Sequence, residues 1–191
     1  ELLGQRRFLL LSLASGIPFN GMFLYVLSAP AFLGDVLGMQ PTEFFWFFNL
    51  SIAGIMGGAW VSGRLAGRIE PRRQIRHGFT IMVAVSVVNV TANLLFAPQP
   101  WWALPLVGLF SFGWSLMVPV VTIMVLDLAP ERRGLASSLQ AVVGSLANAF
   151  VAGVISPLVM HSALALALTS AALMSIGLAA WIVPHRKSPR S

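Results

Sequence analysis

Cysteine is absent from the 191 residues, so disulfide frameworks, thiolate metal sites and cysteine nucleophiles are excluded at once. Charge is scarce too: 9% of residues are Asp, Glu, Lys or Arg, against roughly 25% in soluble globular domains. The histidines His77, His161 and His185 all fall at predicted loop positions, and no metal site is expected. A formal net charge of +6 invites thought of nucleic acid, but basic residues this sparse cannot build the long face a duplex needs. No nucleic-acid partner is expected. A secretory leader pattern is also missing: Glu1 stands first, and no basic flank, short apolar core and small-residue cleavage site follow it. The chain reads as a piece of something longer.

What is present is apolar surface, with 57% hydrophobic residues and a mean hydropathy of +0.83. A membrane helix needs about 20 apolar residues, and the stretches free of Asp, Glu, Lys and Arg are that long or twice that long. Phe8 to Gly34 and Phe44 to Gly63 each give one span. Phe79 to Leu126 gives two, divided at Ala97-Pro98-Gln99-Pro100, and Gly134 to Pro184 gives two more, divided near Ser156-Pro157 and Met160-His161-Ser162. Six spans result, at about 8–33, 42–63, 78–97, 101–126, 134–157 and 163–184, with loops at 64–77 and 127–133 and a tail at 185–191. The fold class is an all-α membrane protein.

Basic residues test that count independently. Arg6 and Arg7 precede span one; Arg64, Arg68, Arg72, Arg73 and Arg76 separate spans two and three; Arg132 and Arg133 separate four and five; Arg186, Lys187 and Arg190 follow six. Six spans put them all on one side, opposite Asp35 and Glu43. The positive-inside rule makes the arginine side cytoplasmic, with both ends there. Lipid headgroups are natural partners for those arginines.

The segment Gly63-Arg64-Leu65-Ala66-Gly67-Arg68-Ile69-Glu70-Pro71-Arg72 resembles the loop between the second and third helices of major facilitator superfamily transporters. Gly63, Leu65, Ala66, Arg68 and Arg72 match its pattern, while Gly67 stands where the pattern has aspartate. Asp127-Leu128-Ala129-Pro130-Glu131-Arg132-Arg133-Gly134 resembles the loop between the fourth and fifth helices of a half. "RRFLLLSLASGIPFNGMFLYVLSAPAFL" and "GMQPTEFFWFFNLSIAGIMGG" look most like the carboxy-terminal half of Bcr/CflA drug-resistance exporters. The resemblance implies half of a twelve-helix fold with a three-plus-three inverted repeat, whose partner is a missing amino-terminal six-helix half. It also implies drug/proton antiport by alternating access in a bacterial inner membrane, driven by a proton gradient without a bound cofactor. In that family spans one and four line the central cavity, and spans three and six face lipid.

The residues themselves suggest a cavity for a small amphipathic or cationic substrate. The candidates are Phe19, Asn20, Phe23 and Tyr25 on span one, Trp46 and Asn49 on span two, Trp114 and Ser115 on span four, and Gln140 on span five. Aromatic faces and amides suit such ligands. Gly54, Gly57, Gly58, Gly144, Asn148 and Gly153 read as helix-packing positions. Trp101, Trp102 and Trp181 read as interface anchors. Gly63, Arg64, Arg68, Arg72, Asp127, Glu131, Arg133 and Gly134 are the candidate gate loop, in which Arg64, Arg68 and Arg72 would pair with Asp127 or Glu131. Asn89 and Asn93 on span three have no role legible in sequence. No Asp, Glu, Lys or Arg lies deep in a span, so a proton-carrying residue is expected in the missing half. An enzyme would need a nucleophile and base, or metal ligands, at that depth, and none is there. The alternatives are uptake or export of another small metabolite, or a six-helix channel or structural half.

Overall fold

A computed structural model describes residues 4–183. The tail at 185–191, with His185, Arg186, Lys187 and Arg190, lies outside the described residues, as does Pro184. The described residues are helical, without strands, and six of their helices are long and apolar enough to cross a membrane. In order these are α1 (Arg6–Leu27), α2 (Phe45–Leu65), α3 (Pro71–Leu95), α4 (Pro100–Leu126), α5 (Arg133–Phe150) continued by α6 (Ser156–Val159), and α7 (Ala163–Ile182).

Helix starts follow local chemistry rather than the last charge. Pro71 and Pro100 open α3 and α4, where a proline ring costs no hydrogen bond and pre-sets φ. The expected loop at 64–77 is therefore much shorter. Arg64 closes α2, while Arg72, Arg73, Arg76 and His77 belong to α3. Arginine interrupts a membrane, not a helix, so the helix runs on into the headgroup layer. Gly67, with φ of +74°, makes the tight turn between them.

Two spans change pitch near the end opposite the arginines. After α1 the chain winds into a π-helical turn, Pro30–Val36, and α5 passes through a second one, Val151–Ile155, before α6. Span one thus breaks before residue 33, because Pro30 has no N–H to continue an α-helix. Ser28 and Ser156, one beside each π turn, share a buried hydrogen bond of 3.1 Å that ties the two spans there.

Packing runs through α4, which lies against α2, α3 and α1, while α7 lies along α1 and α3. Gly54 and Gly58 of α2 sit directly on the α4 backbone at Gly108 and Phe112, and Gly78 of α3 sits on Gly113. Gly177 of α7 receives the Pro18 ring of α1. Near the arginine end, buried Gln74 donates to Ser62 Oγ at 2.6 Å and to the Leu116 carbonyl at 2.9 Å, joining α3 to α2 and α4. These contacts leave α2 and α5 the least covered spans. The span that the resemblance places toward lipid, α7, is well covered by α1, and Trp181 turns inward beside Phe79 rather than anchoring an interface. Trp101 is exposed and Trp102 half-buried.

The asparagines of α3 acquire a role. Asn89 Nδ2 donates to the Tyr25 hydroxyl of α1 at 2.9 Å, and Asn93 Nδ2 donates to the Asn89 carbonyl and to its Oδ1. Tyr25 is thus a packing residue, not part of the central cavity. Interhelical hydrogen bonds of this kind are worth about 0.6–1.7 kcal/mol in membrane proteins. In a double-mutant cycle of Tyr25→Phe and Asn89→Leu, measured by chemical unfolding in detergent, a coupling energy of about 1 kcal/mol is expected. Strict additivity would show that the pair contributes nothing.

Candidate functional site

One open cavity of about 340 Å³ lies where α1, α4 and α5 meet. Its α1 wall is Ser12, Ser15, Gly16 and Phe19; its α4 wall is Trp114 and Val118; its α5 wall includes Ser137, Gln140, Gly144 and Asn148. Positions 137, 140, 144 and 148 recur every three or four residues, so one face of α5 carries them all.

The walls are fixed by hydrogen bonds that cross between helices. Trp114 Nε1 donates to the Ser15 carbonyl at 2.9 Å, tying α4 to α1 three residues before Pro18, which lies inside that helix. Gln140 Nε2 donates to Ser15 Oγ at 3.2 Å and reaches Thr122 Oγ1 at 3.5 Å, while Ser15 Oγ donates on to the Ser12 carbonyl. Phe19 packs on Trp114 with ring centroids 4.9 Å apart, and Phe23 stacks behind Phe19 at 5.2 Å. The result is an aromatic wall on one side and an amide and hydroxyl wall on the other.

Two polar atoms here are buried without a partner among the described residues: Ser12 Oγ and Asn148 Oδ1. A buried polar atom left unpaired costs about 1–3 kcal/mol, and both lie just beneath the cavity wall with almost no accessible surface of their own. No ionisable side chain lines the cavity. Its chemistry is therefore hydrogen bonding, stacking and cation–π attraction, with no charge to bind an anion or carry a proton.

The sequence candidates separate into three groups. Phe19, Trp114 and Gln140 meet in the cavity, and Phe23 buttresses it. Asn20 and Ser115 are spent on packing: Asn20 donates back to the Gly16 carbonyl, and Ser115 donates to the Ile55 carbonyl of α2. Trp46 and Asn49 are exposed elsewhere on α2, because its glycine face fixes which side meets α4. Ser12, Ser15 and Asn148 were not among the cavity candidates; the signal that could have found Ser12 and Ser15 is their spacing from Phe19, at positions 12, 15 and 19 of one helical face. Gly57 touches the Phe112 ring as a packing residue would. By contrast, a Cβ on Gly144 or Gly153 would meet open space; the Gly144 Cα nonetheless packs against α1, 3.5 Å from where a Cβ on Gly16 would lie, whereas Gly153 has no such neighbour.

The expected gate pairs also differ. Among the described residues Asp127 pairs with Arg133 at 3.0 Å, inside its own loop, and both side chains are more than half exposed. Arg64 lies instead over the Trp60 ring, 4.5 Å from its centre. Arg64, Arg68 and Arg72 make no ion pair with Asp127 or Glu131 among the described residues. The Asp127 partner is explained by reach: Arg133 starts α5 one short turn after Asp127 ends α4. Gly63 and Gly134 have open space around them. An exposed pair of this kind contributes about 0–1 kcal/mol.

A family model described as Major Facilitator Superfamily matches residues 1–152. Over 160 residues the chain is 28% identical to a Bacillus subtilis (strain 168) protein named "Uncharacterized MFS-type transporter YdgK". That match covers 83% of this chain but 38% of the relative, so the chain spans well under half of that protein's length. No solved structure matches the chain.

Proposed function

The chain belongs to the Major Facilitator Superfamily, a family of transporters and not of enzymes, and from that premise we propose that it is one six-helix half of a multidrug exporter. The reading assigns the cavity between α1, α4 and α5 to the substrate, an amphipathic or cationic molecule expelled in exchange for protons by alternating access. The observation that carries it is the cavity's chemistry. An aromatic wall from Phe19 and Trp114 faces the Gln140 amide, two unpaired polar atoms remain, and no fixed charge is present. Such a surface favours apolar and cationic molecules over sugars or acids, which need denser polar or charged partners.

On this reading a second six-helix half packs against α5 and part of the exposed surface of α2, closes the cavity from the open side and supplies the proton-binding carboxylate. The large exposed apolar surface of α2 and α5 supports it. On this reading the arginine end faces the cytoplasm of a bacterial inner membrane, and the basic excess at that end supports the orientation. The resemblance to Bcr/CflA exporters is what narrows the substrate to drugs, and the proton to the coupling ion.

The test uses the full-length gene, expressed in a bacterial strain stripped of its own drug exporters. Ethidium efflux is expected to rise above the vector control and to collapse when a protonophore is added. Efflux that survives the protonophore would remove proton coupling. Absence of efflux for every organic cation tried would remove the drug reading.

A further inference from the structure

We infer that a second pocket, at the end of the molecule opposite the arginines, binds the ammonium group of an organic cation between Trp46 and Trp101 with Glu43 as counter-charge. The pocket has a volume of about 360 Å³ and lies between the entry to α2 and the entry to α4. It shares no residue with the central cavity.

Its carboxylate is built in, not left dangling. Pro41–Glu43 form a single 3₁₀ turn in which the last residue, Glu43, and the N-cap residue before it, Gln40, cap each other, and Glu43 Oε2 accepts from the Gln40 backbone N–H at 2.9 Å. That reciprocal arrangement fixes the side chain. The other carboxylate oxygen, Oε1, makes no hydrogen bond among the described residues. Glu43 therefore presents a held negative charge with one open face.

Nothing in the described chain neutralises it. Every described arginine lies at the opposite end of the spans, and the nearest equivalent acid, Asp35, has His161 at 4.0 Å while Glu43 has no ion pair. The surroundings are aromatic and apolar: Trp46 and Trp101 are 55% and 78% exposed, and Leu50, Leu104 and Met39 line the rest. Glu43 is itself exposed at the edge of these walls, so a compact inorganic cation keeps its water there and gains little from one carboxylate. An alkylammonium carries little tightly held water, and its charge is attracted to tryptophan faces as well as to the carboxylate. An aromatic belt alone explains two interfacial tryptophans. It does not explain why they line one pocket with a capped glutamate.

The ammonium has two available sources, a phosphatidylethanolamine headgroup or a soluble organic cation. The experiment uses the full-length protein in phosphatidylglycerol nanodiscs, with benzyltrimethylammonium as probe and its neutral carbon isostere as control. It is run in a Gly144→Leu background, so that binding in the central cavity is blocked and the two sites fail separately. Probe binding is expected to persist there, to weaken about tenfold on Glu43→Gln and on Trp101→Leu, and to exceed that of the isostere by a similar factor. Glutamine can still accept from the Gln40 N–H, so the turn stays folded in the first variant. Adding phosphatidylethanolamine then identifies the source. Competition with the probe that Glu43→Gln abolishes marks the headgroup as occupant, and lack of competition marks a soluble cation. Equal binding by Glu43→Gln and the parent, or equal binding of the isostere, overturns the inference.

Discussion

Replacing Gly54 by valine is expected to leave no monodisperse protein in detergent. A Cβ at Gly54 would fall on the Gly108 carbonyl of α4, and the contact is reciprocal, since a Cβ at Gly108 would meet the Leu50 carbonyl at 2.9 Å. One turn on, Gly58 lies against the Phe112 carbonyl and the Leu116 N–H. The neighbours are backbone, which cannot swing away as a side-chain tip can. Bulk here must push whole helices apart. In lipid no hydrophobic force draws them back, because helix association depends on close van der Waals contact. Overpacking typically costs about 1–3 kcal/mol. Gly54→Ala, the smallest increment, is expected to lower the thermal midpoint clearly, and valine to exceed what the bundle tolerates. Gly153→Ala is the control: its Cβ meets open space, and a shift within about 0.5 kcal/mol is expected. Size-exclusion chromatography after a heating series reads all three. If Gly54→Val melts with the parent, the α2 to α4 contact is not a joint that holds the bundle together.

That joint illustrates how far the sequence could be read. Glycines at 54, 57 and 58 announce a close approach on one face of α2, because spacing on a helix is a property of the sequence alone. Their partner, the backbone of α4 at Gly108 and Phe112, is a property of tertiary packing and is invisible there. The same division holds for the spans. Long charge-free runs locate six of them, whereas α3 starts at Pro71 and not near 78, where the run of charges ends. In the cavity, the period of α5 brings Gln140, Gly144 and Asn148 together, yet composition could not tell which aromatic residues face them. Trp46 and Trp114 look alike in sequence; α2's glycine face sends one outward, while a hydrogen bond to Ser15 holds the other in the wall. Tyr25 and Asn89 lie on different helices, and their bond exists only after α1 and α3 have packed. The arginine loop is the opposite case. Its composition suggested pairing with Asp127, but Arg133 is closer along the chain and takes that partner.

The central cavity yields the other large effect, which is on transport and leaves the fold alone. Gly144 lines it, and a Cβ there meets nothing within 4 Å. A leucine side chain at 144 therefore projects into free space, facing the wall of Phe19 and Trp114, and occupies a large part of about 340 Å³. Helix propensity rises by up to about 1 kcal/mol when glycine is replaced, so folding should not suffer. In the full-length protein, Gly144→Leu is expected to reduce efflux at least tenfold, on the order of the loss when a binding pocket is filled by about 1.4 kcal/mol or more of steric cost. Its expression and thermal midpoint should match the parent. Gly153→Leu, on the same helix but outside the cavity, should transport normally, which separates occupation of the pocket from any general effect of bulk on α5. A milder variant, Gln140→Leu, removes the amide that bridges Ser15 and Thr122 while keeping similar volume. It should weaken discrimination among substrates more than it lowers the maximal rate, since the amide orients a ligand while the aromatic wall holds it. If Gly144→Leu transports at the parental rate, the substrate does not pass between α1, α4 and α5, and the cavity is a packing defect that the second half fills.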